Sequence, residues 1–362
     1  MNLMEKTWVE VDVRALQKNF LAAQKHVGKG VTTIAVIKAN AYGHGLVGTA
    51  RALAGLPNIW LGVDSIEDAL ILHKARISRP IIILGYIPPP RLVEAARCNF
   101  RISVYSKELL VRIAQMRDQK PIVHIKIETG TNRLGIQLGE LASIKTFPAV
   151  EGIYTHFAEV ENPRSIFYKK QLAALASARE ILKRAGVVPK YMHSASTAAL
   201  MQFADTRFSM ARLGIGLYGL WPSPEIRKKL SRKLHIKPAL IWKTRIAQIK
   251  TIEKGEGVGY DRTFRVKRRT RVAILPVGYY DGYDRRLSNI GKVAIGSKIA
   301  PIIGRVCMNM TMVDVTNIPA KIHDAVELLG PNVTADDMAK ATNTINYEIV
   351  ARINPLIKRL YL

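Results

Sequence analysis

Lys38, Arg133, His156 and Arg212 each come shortly after or at the end of a short β-rich run. A lysine, a histidine and two arginines gathered on one rim make a cationic pocket with an amine nucleophile. Its natural guest is an anionic small molecule that carries a carbonyl. Lys38 ends the apolar run Ile34–Ile37. Loss of water there lowers an amine's proton affinity and frees it for Schiff-base formation. The segment after it holds Tyr42, Gly43, His44 and Gly45, and its glycines let backbone and ligand approach closely. Arg212 is followed by Gly214 and Ile215, a glycine-rich turn opening a short helix, whose N–H groups suit an anion.

The elements that must position these groups alternate. Strand-like runs lie at Thr33–Ile37, Ile59–Val63, Pro80–Leu84, Arg101–Val104, Ile122–Ile127, Val150–Thr155, Lys190–His193 and Arg207–Ala211. Amphipathic or Ala-rich stretches separate most of them, among them Arg14–His26, Ser65–Lys74, Arg91–Cys98, Lys107–Met116 and Ser165–Arg184. Eight strands alternating with helices predict an α/β fold, a (β/α)8 TIM-type barrel with its site at the carboxyl ends of the strands. An open doubly wound sheet would want a glycine-rich dinucleotide turn after the first strand, and the residues from Lys38 to Gly45 do not supply one. After about residue 222 the rhythm changes to β-type runs at Ala239–Thr251, Arg271–Val277, Lys292–Ile299, Thr311–Val315 and Ala325–Leu329. Two short helical patterns, Ala335–Ala341 and Tyr347–Ile353, follow. The expected division is a barrel over residues 11–225 and a mostly β domain over residues 235–362, joined by residues 1–10 as an N-terminal strand.

Composition bounds the function classes. The 362 residues are 48% hydrophobic, too apolar for a disordered chain, and no apolar run is long enough to span a bilayer. Glu5 and Lys6 stand where a signal peptide needs its apolar stretch, and Cys98 and Cys307 are too few for a disulfide framework. A cytoplasmic protein is expected. The formal charge of +27 obliges a test against polyanions. Residues 225–271 hold sixteen Lys or Arg against four acidic residues. No nucleic-acid module, interleaved stacking aromatics or zinc-ligand spacing accompanies that run, so it reads as a solvated basic face and not a nucleic-acid site. No metal site is expected.

Eight segments in order carry a resemblance. They are AVIKANAYGHG at 35–45, IETGTNRLG at 127–135, THF at 155–157, ARLGIGLYG at 211–219, GVGYDRTF at 257–264, PVGYYDGYDR at 276–285, GRVCMNMTMVDV at 304–315 and INYEIVARI at 345–353. With them the chain resembles the alanine racemases, pyridoxal 5'-phosphate enzymes built from a barrel and a β domain. The resemblance implies a homodimeric, cytoplasmic isomerase that interconverts L- and D-alanine by two-base proton transfer, for D-alanine biosynthesis and the peptidoglycan of the cell wall. Lys38 would carry the cofactor and act as base on one face of the substrate carbon, and Tyr260 would be the base on the other. His156 and Arg212 would form a hydrogen-bonded chain that lowers the proton affinity of Tyr260. Arg133 and the Met308 backbone would bind the substrate carboxylate. Tyr42, Thr197, Tyr347 and the backbone of Gly214 and Ile215 would hold the phosphate. Lys126, in carbamylated form, would orient Arg133.

Arg212 would stand against the pyridine nitrogen. A permanent cation there keeps that nitrogen unprotonated, so the ring is a weaker electron sink and the carbanion is reprotonated where it formed. Racemisation is then favoured over transamination. Related barrel decarboxylases share the lysine segment but protonate their cofactor with an acid, and an arginine here argues against them. Asn309, where the family more often has aspartate, and Ser196 with Thr197, where an asparagine–serine pair is common, depart from the pattern, as does the charge. A broader or serine racemase, or a non-catalytic carrier of the cofactor, are the alternatives. Carriers usually lack the second domain.

Overall fold

The computed structural model describes residues 5–117, 119–162 and 164–362. The chain divides into two compact units. One comprises residues 15–39 and 46–237, the other residues 1–14, 40–45 and 238–362. The sequence boundary at 11 and 225 did not foresee the small excursion at residues 40–45. It belongs with the second unit because Arg359 Nε donates to the Gly43 carbonyl at 3.1 Å and the Tyr361 hydroxyl donates to the His44 carbonyl at 2.9 Å. A Cβ on Gly43 would lie 2.0 Å from the Val350 carbonyl oxygen, so only glycine lets this turn meet the helix Asn346–Ala351.

Strand β1 (Thr7–Val11) belongs to the second unit, and the next eight strands close the barrel. They are β2 (Thr32–Val36), β3 (Ile59–Val63), β4 (Ile81–Ile83), β5 (Arg101–Val104), β6 (Ile122–Lys126), β7 (Val150–Tyr154), β8 (Tyr191–His193) and β9 (Met210–Leu213). All pairs are parallel, and β9 returns to β2 with Ile34 opposite Arg212. Parallel strands covered on both faces read as near-continuous apolar runs, of which β4, three isoleucines, is the extreme. The last strand begins three residues later than its sequence run, because residues Ala204–Thr206 form a 3₁₀ turn closed by the Thr206 hydroxyl donating to the Phe203 carbonyl. Arg212 therefore lies within the strand, facing the interior of the fold. Ser65 and Ser106 cap the helices Ile66–Lys74 and Lys107–Gln115 by accepting from the third amide beyond. The helix Phe167–Arg184 buries Tyr168, Gln171, Leu175, Ala178 and Leu182, one stripe at helical spacing.

The second unit is built on ten further strands in chain order. They are β10 (Leu240–Arg245), β11 (Gln248–Ile252), β12 (Gly257–Val258), β13 (Phe264–Arg265), β14 (Thr270–Leu275), β15 (Lys292–Ile295), β16 (Lys298–Pro301), β17 (Thr311–Asp314), β18 (Ala325–Leu329) and β19 (Lys358–Tyr361). A six-stranded sheet runs β16-β15-β18-β10-β1-β19, and a three-stranded sheet runs β11-β14-β17. The N-terminal strand thus sits inside the sheet, antiparallel to β10 and parallel to β19. Its place is locked by the Trp242 indole donating to the Thr7 hydroxyl at 2.9 Å. Two long sequence runs each prove to be two strands. Residues 239–251 break at Ile246 and Ala247, whose amides bond Asp324 and Ile274, so the chain changes sheet there. Residues 292–299 fold back at Gly296, at φ 57°, into a hairpin.

Candidate active site

Polar residues buried in barrel strands mark the site, because a closed barrel normally fills its interior with apolar layers. Ser103, His124, Lys126, Tyr154, His193 and Arg212 are all buried. At the carboxyl end of β2 the ladder continues one residue further, with the Ile37 amide donating to the Gly62 carbonyl at 2.8 Å. Lys38 follows, and its ammonium lies 3.2 Å from the carboxylate of Asp64, just beyond β3. Residues 39–42 then adopt φ values of 50° to 53°. Four consecutive non-glycine residues in the left-handed region store about 1–2 kcal/mol of strain each, and such strain persists only where surrounding contacts enforce it.

Arg212 is the most committed side chain of the barrel. Its Nη1 donates to His193 Nδ1 at 2.5 Å, and its Nη2 donates to the Thr155 and Ser194 carbonyls at 2.7 and 2.9 Å. The contact of Nη2 with His156 Nδ1 is long, 3.4 Å. The guanidinium stands 5.2 Å over the Tyr154 ring. Burial lowers the Arg212 pKa to about 10, still a cation at neutral pH. His156 is held well below its ordinary pKa by burial and then by Arg212, Arg133, Lys126 and Lys38, and is therefore neutral.

Lys126, the last residue of β6, is buried, and its pKa falls to about 8. Burial is the main cause, and the charges of Arg133 and Arg212 outweigh that of Glu128. Arg133 itself is exposed. Its loop is shaped by the Glu128 carboxylate, which accepts from the amides of Gly130, Thr131 and Arg133 at 2.5, 2.7 and 3.2 Å. Burial works against that carboxylate, yet the backbone N–H groups hold its pKa below the usual range. On the far side of β9, Thr197 Oγ1 accepts from the Gly214 amide at 2.8 Å and so anchors the start of the turn Ile215–Tyr218. The first N–H groups of such a turn have no carbonyl partner within it.

Tyr42, Tyr260, Met308 and Tyr347 belong to the second unit. The rings of Tyr42 and Tyr347 lie 6.3 Å apart. Tyr260 is 71% exposed, at the head of a turn in which Asp261 and Arg262 have positive φ and Asp261 pairs with Arg305 at 2.9 Å. Met308 is 55% exposed, and its peptide is oriented by the Tyr280 amide donating to its carbonyl at 3.0 Å. Sequence reasoning missed Asp64, His193, His124 and Glu151. Asp64 follows a strand end as Lys38 does and could have been found by that rule. His193 ends β8 and was open to the same rule, whereas His124 and Glu151 lie inside strands, where position alone carries no signal.

The family model described as alanine racemase, N-terminal domain, matches residues 11–222, and that described as alanine racemase, C-terminal domain, matches residues 239–361. An alanine racemase of Symbiobacterium thermophilum is 36% identical, over 99% of this chain and 97% of its own. The solved alanine racemase of Clostridium difficile is 31% identical, with a TM-score of 0.92 over 99% of this chain and 96% of its own. That of Bartonella henselae, solved with covalently bound pyridoxal phosphate, is 28% identical, with a TM-score of 0.86 over 99% of this chain and all of its own.

Proposed function

The chain belongs to the alanine racemase family and interconverts L- and D-alanine, and on that premise we propose how its own residues divide the reaction. The cofactor is pyridoxal 5'-phosphate, and the donor set of the barrel fits it. Lys38 offers an amine at a strand end. Thr197 with the turn at Gly214 and Ile215 offers a hydroxyl and amides to a phosphate, with the Tyr42 and Tyr347 hydroxyls as further donors. Both Nη groups of Arg212 are taken by the barrel, and among the described residues nothing takes its Nε, which leaves that donor for a pyridine nitrogen. The cofactor, when bound, supplies the electron-withdrawing ring that makes the alanine Cα–H acidic.

Lys38 carries the cofactor and moves the proton at Cα on one face, and the Tyr260 hydroxyl does so on the other. Arg133 and the Met308 amide bind the substrate carboxylate. Lys126 has a neutral fraction at mild pH, as attack on carbon dioxide requires. The resulting carbamate, formed with release of a proton, turns its repulsion of Arg133 into an ion pair. Arg212 keeps the pyridine nitrogen unprotonated, with His156 and Arg212 setting the proton affinity of Tyr260. The single observation that supports this division most is the buried guanidinium of Arg212, held through both Nη groups: a cation so held does not yield its proton to a ring nitrogen.

Tyr260 and Met308 are exposed on the single chain. This supports a homodimer in which the β domain of one subunit completes the barrel site of the other. The free cysteines Cys98 and Cys307 suit a reducing cytoplasm, and no described helix is long and apolar enough to cross a membrane. The D-alanine made there serves peptidoglycan synthesis. Purified protein, loaded with pyridoxal phosphate and given a panel of L-amino acids, should form the D-isomer of alanine above all others. Preference for another amino acid would overturn the substrate, and absence of any D-isomer would overturn the enzyme reading.

A further inference from the structure

A chain of side chains runs through the barrel interior from Arg212 to its amino-terminal floor. His193 Nε2 lies 3.1 Å from His124 Nδ1, and His124 Nε2 lies 3.2 Å from Glu151 Oε2. Glu151, at the start of β7, in turn meets Arg101 Nε at 3.2 Å. The direction of every hydrogen bond follows from one end. A guanidinium only donates, so His193 Nδ1 accepts from Arg212 and carries no proton. The proton of a neutral His193 is then on Nε2 and is donated to His124 Nδ1. That leaves His124 with its proton on Nε2, aimed at the Glu151 carboxylate. Burial pushes both imidazoles below their ordinary pKa, His193 further through Arg212, and for His124 burial outweighs Glu151, so both are neutral.

The surroundings are built for this arrangement. Tyr154 lies flat on His193, with ring centroids 4.5 Å apart and planes 8° apart, and its hydroxyl donates to Ser103 Oγ at 2.6 Å. Trp60 packs against His124 at 5.9 Å and under Arg101 at 4.9 Å. A Cβ on Gly152 would fall 2.3 Å from His124 Nδ1, so the imidazole occupies space that only glycine leaves.

We propose that His193, His124 and Glu151 are positioning residues for Arg212, and that Glu151, at the opposite end of the barrel, is its remote counter-charge. Each imidazole turns its lone pair toward the cation and its N–H toward the anion. The two aligned dipoles favour the charged state at both ends and hold the guanidinium plane at a fixed angle. Arg212 thereby stays protonated although buried and, among the described residues, paired with no carboxylate. This deepens the reading of Arg212 as the group that keeps the reaction a racemisation, and it rests on that reading for its consequence but not for its geometry.

The test is made on the full-length protein with ¹⁵N-labelled histidine, before and after loading with pyridoxal phosphate. Long-range ¹H–¹⁵N correlation should show His193 and His124 neutral with the proton on Nε2. A proton on Nδ1 of either ring, or an imidazolium, would overturn the chain. Glu151→Gln keeps an acceptor for His124 and removes the charge. It should retain both tautomers while raising the fraction of turnovers lost to transamination about fivefold, the lower range of coupling between distant groups. Glu151→Leu removes the acceptor as well, and should show mixed His124 tautomers and a larger loss to transamination. An unaltered transamination fraction in both variants, with Arg212→Lys raising it, would overturn the role of Glu151 alone. If Arg212→Lys also leaves it unaltered while the tautomers are as stated, the reading of Arg212 has failed and the chain has no catalytic consequence.

Discussion

Lys38 Nζ stands 3.2 Å from Asp64 Oδ1, so the amine beyond β2 is matched by a carboxylate beyond the neighbouring strand β3. Both side chains are partly open, 42% and 56% exposed, and such a pair is worth about 1 kcal/mol at most. Asp64→Asn should therefore move the thermal unfolding midpoint little. Lys38→Ala should abolish the visible absorption that borohydride removes from the wild type, with the reduced mass fixed at Lys38 by peptide mapping. A persistent band of the same kind in Lys38→Ala would put the cofactor on another amine.

Replacing Arg212 separates charge from packing. Arg212→Glu should slow racemisation strongly, raise the share of cofactor lost to transamination, and cost about 3–5 kcal/mol of stability by stranding the partners of a buried cation. Arg212→Lys keeps a charge but not the fork that reaches His193 through Nη1 and the Thr155 and Ser194 carbonyls through Nη2. Its loss of stability, measured by denaturant unfolding, should be the smaller of the two. Equal partition between racemisation and transamination in wild type and Arg212→Glu would show that the ring electronics are set elsewhere.

The buried Lys126 ties stability to pH. Its folded pKa is about 8 against an ordinary 10.5, so between those values the unfolded chain binds more protons than the folded one. Its contribution to stability accordingly rises as pH climbs from about 8 to about 10.5, and is fully unfavourable below. Lys126→Met should melt higher than wild type at neutral pH and lose that share of the pH slope. Bicarbonate, as the source of a carbamate at Lys126, should raise the wild-type midpoint and leave that of Lys126→Met in place. A rise in both would mean that bicarbonate acts at another site.

If two subunits share each site, as proposed, activity should be recovered from a mixture of damaged chains. Lys38→Ala and Tyr260→Phe should each be nearly inactive, since each removes one of the two proposed bases from every site. Mixed under conditions of subunit exchange, they should recover up to about a quarter of wild-type activity, because half of random pairs are heterodimers and each holds one intact site. Mass spectrometry must first detect the heterodimers. Heterodimers without activity would place both bases on one chain.

Much of this was legible before any coordinates. Barrel strands covered on both faces are nearly continuous apolar runs, and such runs between helical stripes located all eight, two of them to the residue, Ile59–Val63 and Arg101–Val104. Lys38, Arg133, Tyr260 and their companions sit in segments of a few residues, so chain order alone carries them. Strand breaks were less legible. The run through Ile246 reads as one β-type stretch in the sequence, and the bonds of Ile246 and Ala247 to Asp324 and Ile274 reveal the change of sheet.

What the sequence by itself determined is therefore local: the number and order of the barrel strands, the amine beyond the first of them, the arginine near the last, and the family those segments mark. The tertiary structure alone decided partnership. It put the N-terminal strand between β10 and β19, gave the turn at residues 40–45 to the second unit, and set His193 against His124, 69 residues away, and His124 against Glu151, 27 away. The reason is physical. Burial periodicity is imposed on each segment by its own backbone, and can be read from it. A hydrogen bond between strands exists only after barrel closure chooses their neighbours, and a polar residue inside a strand shows no sign of its partner until then.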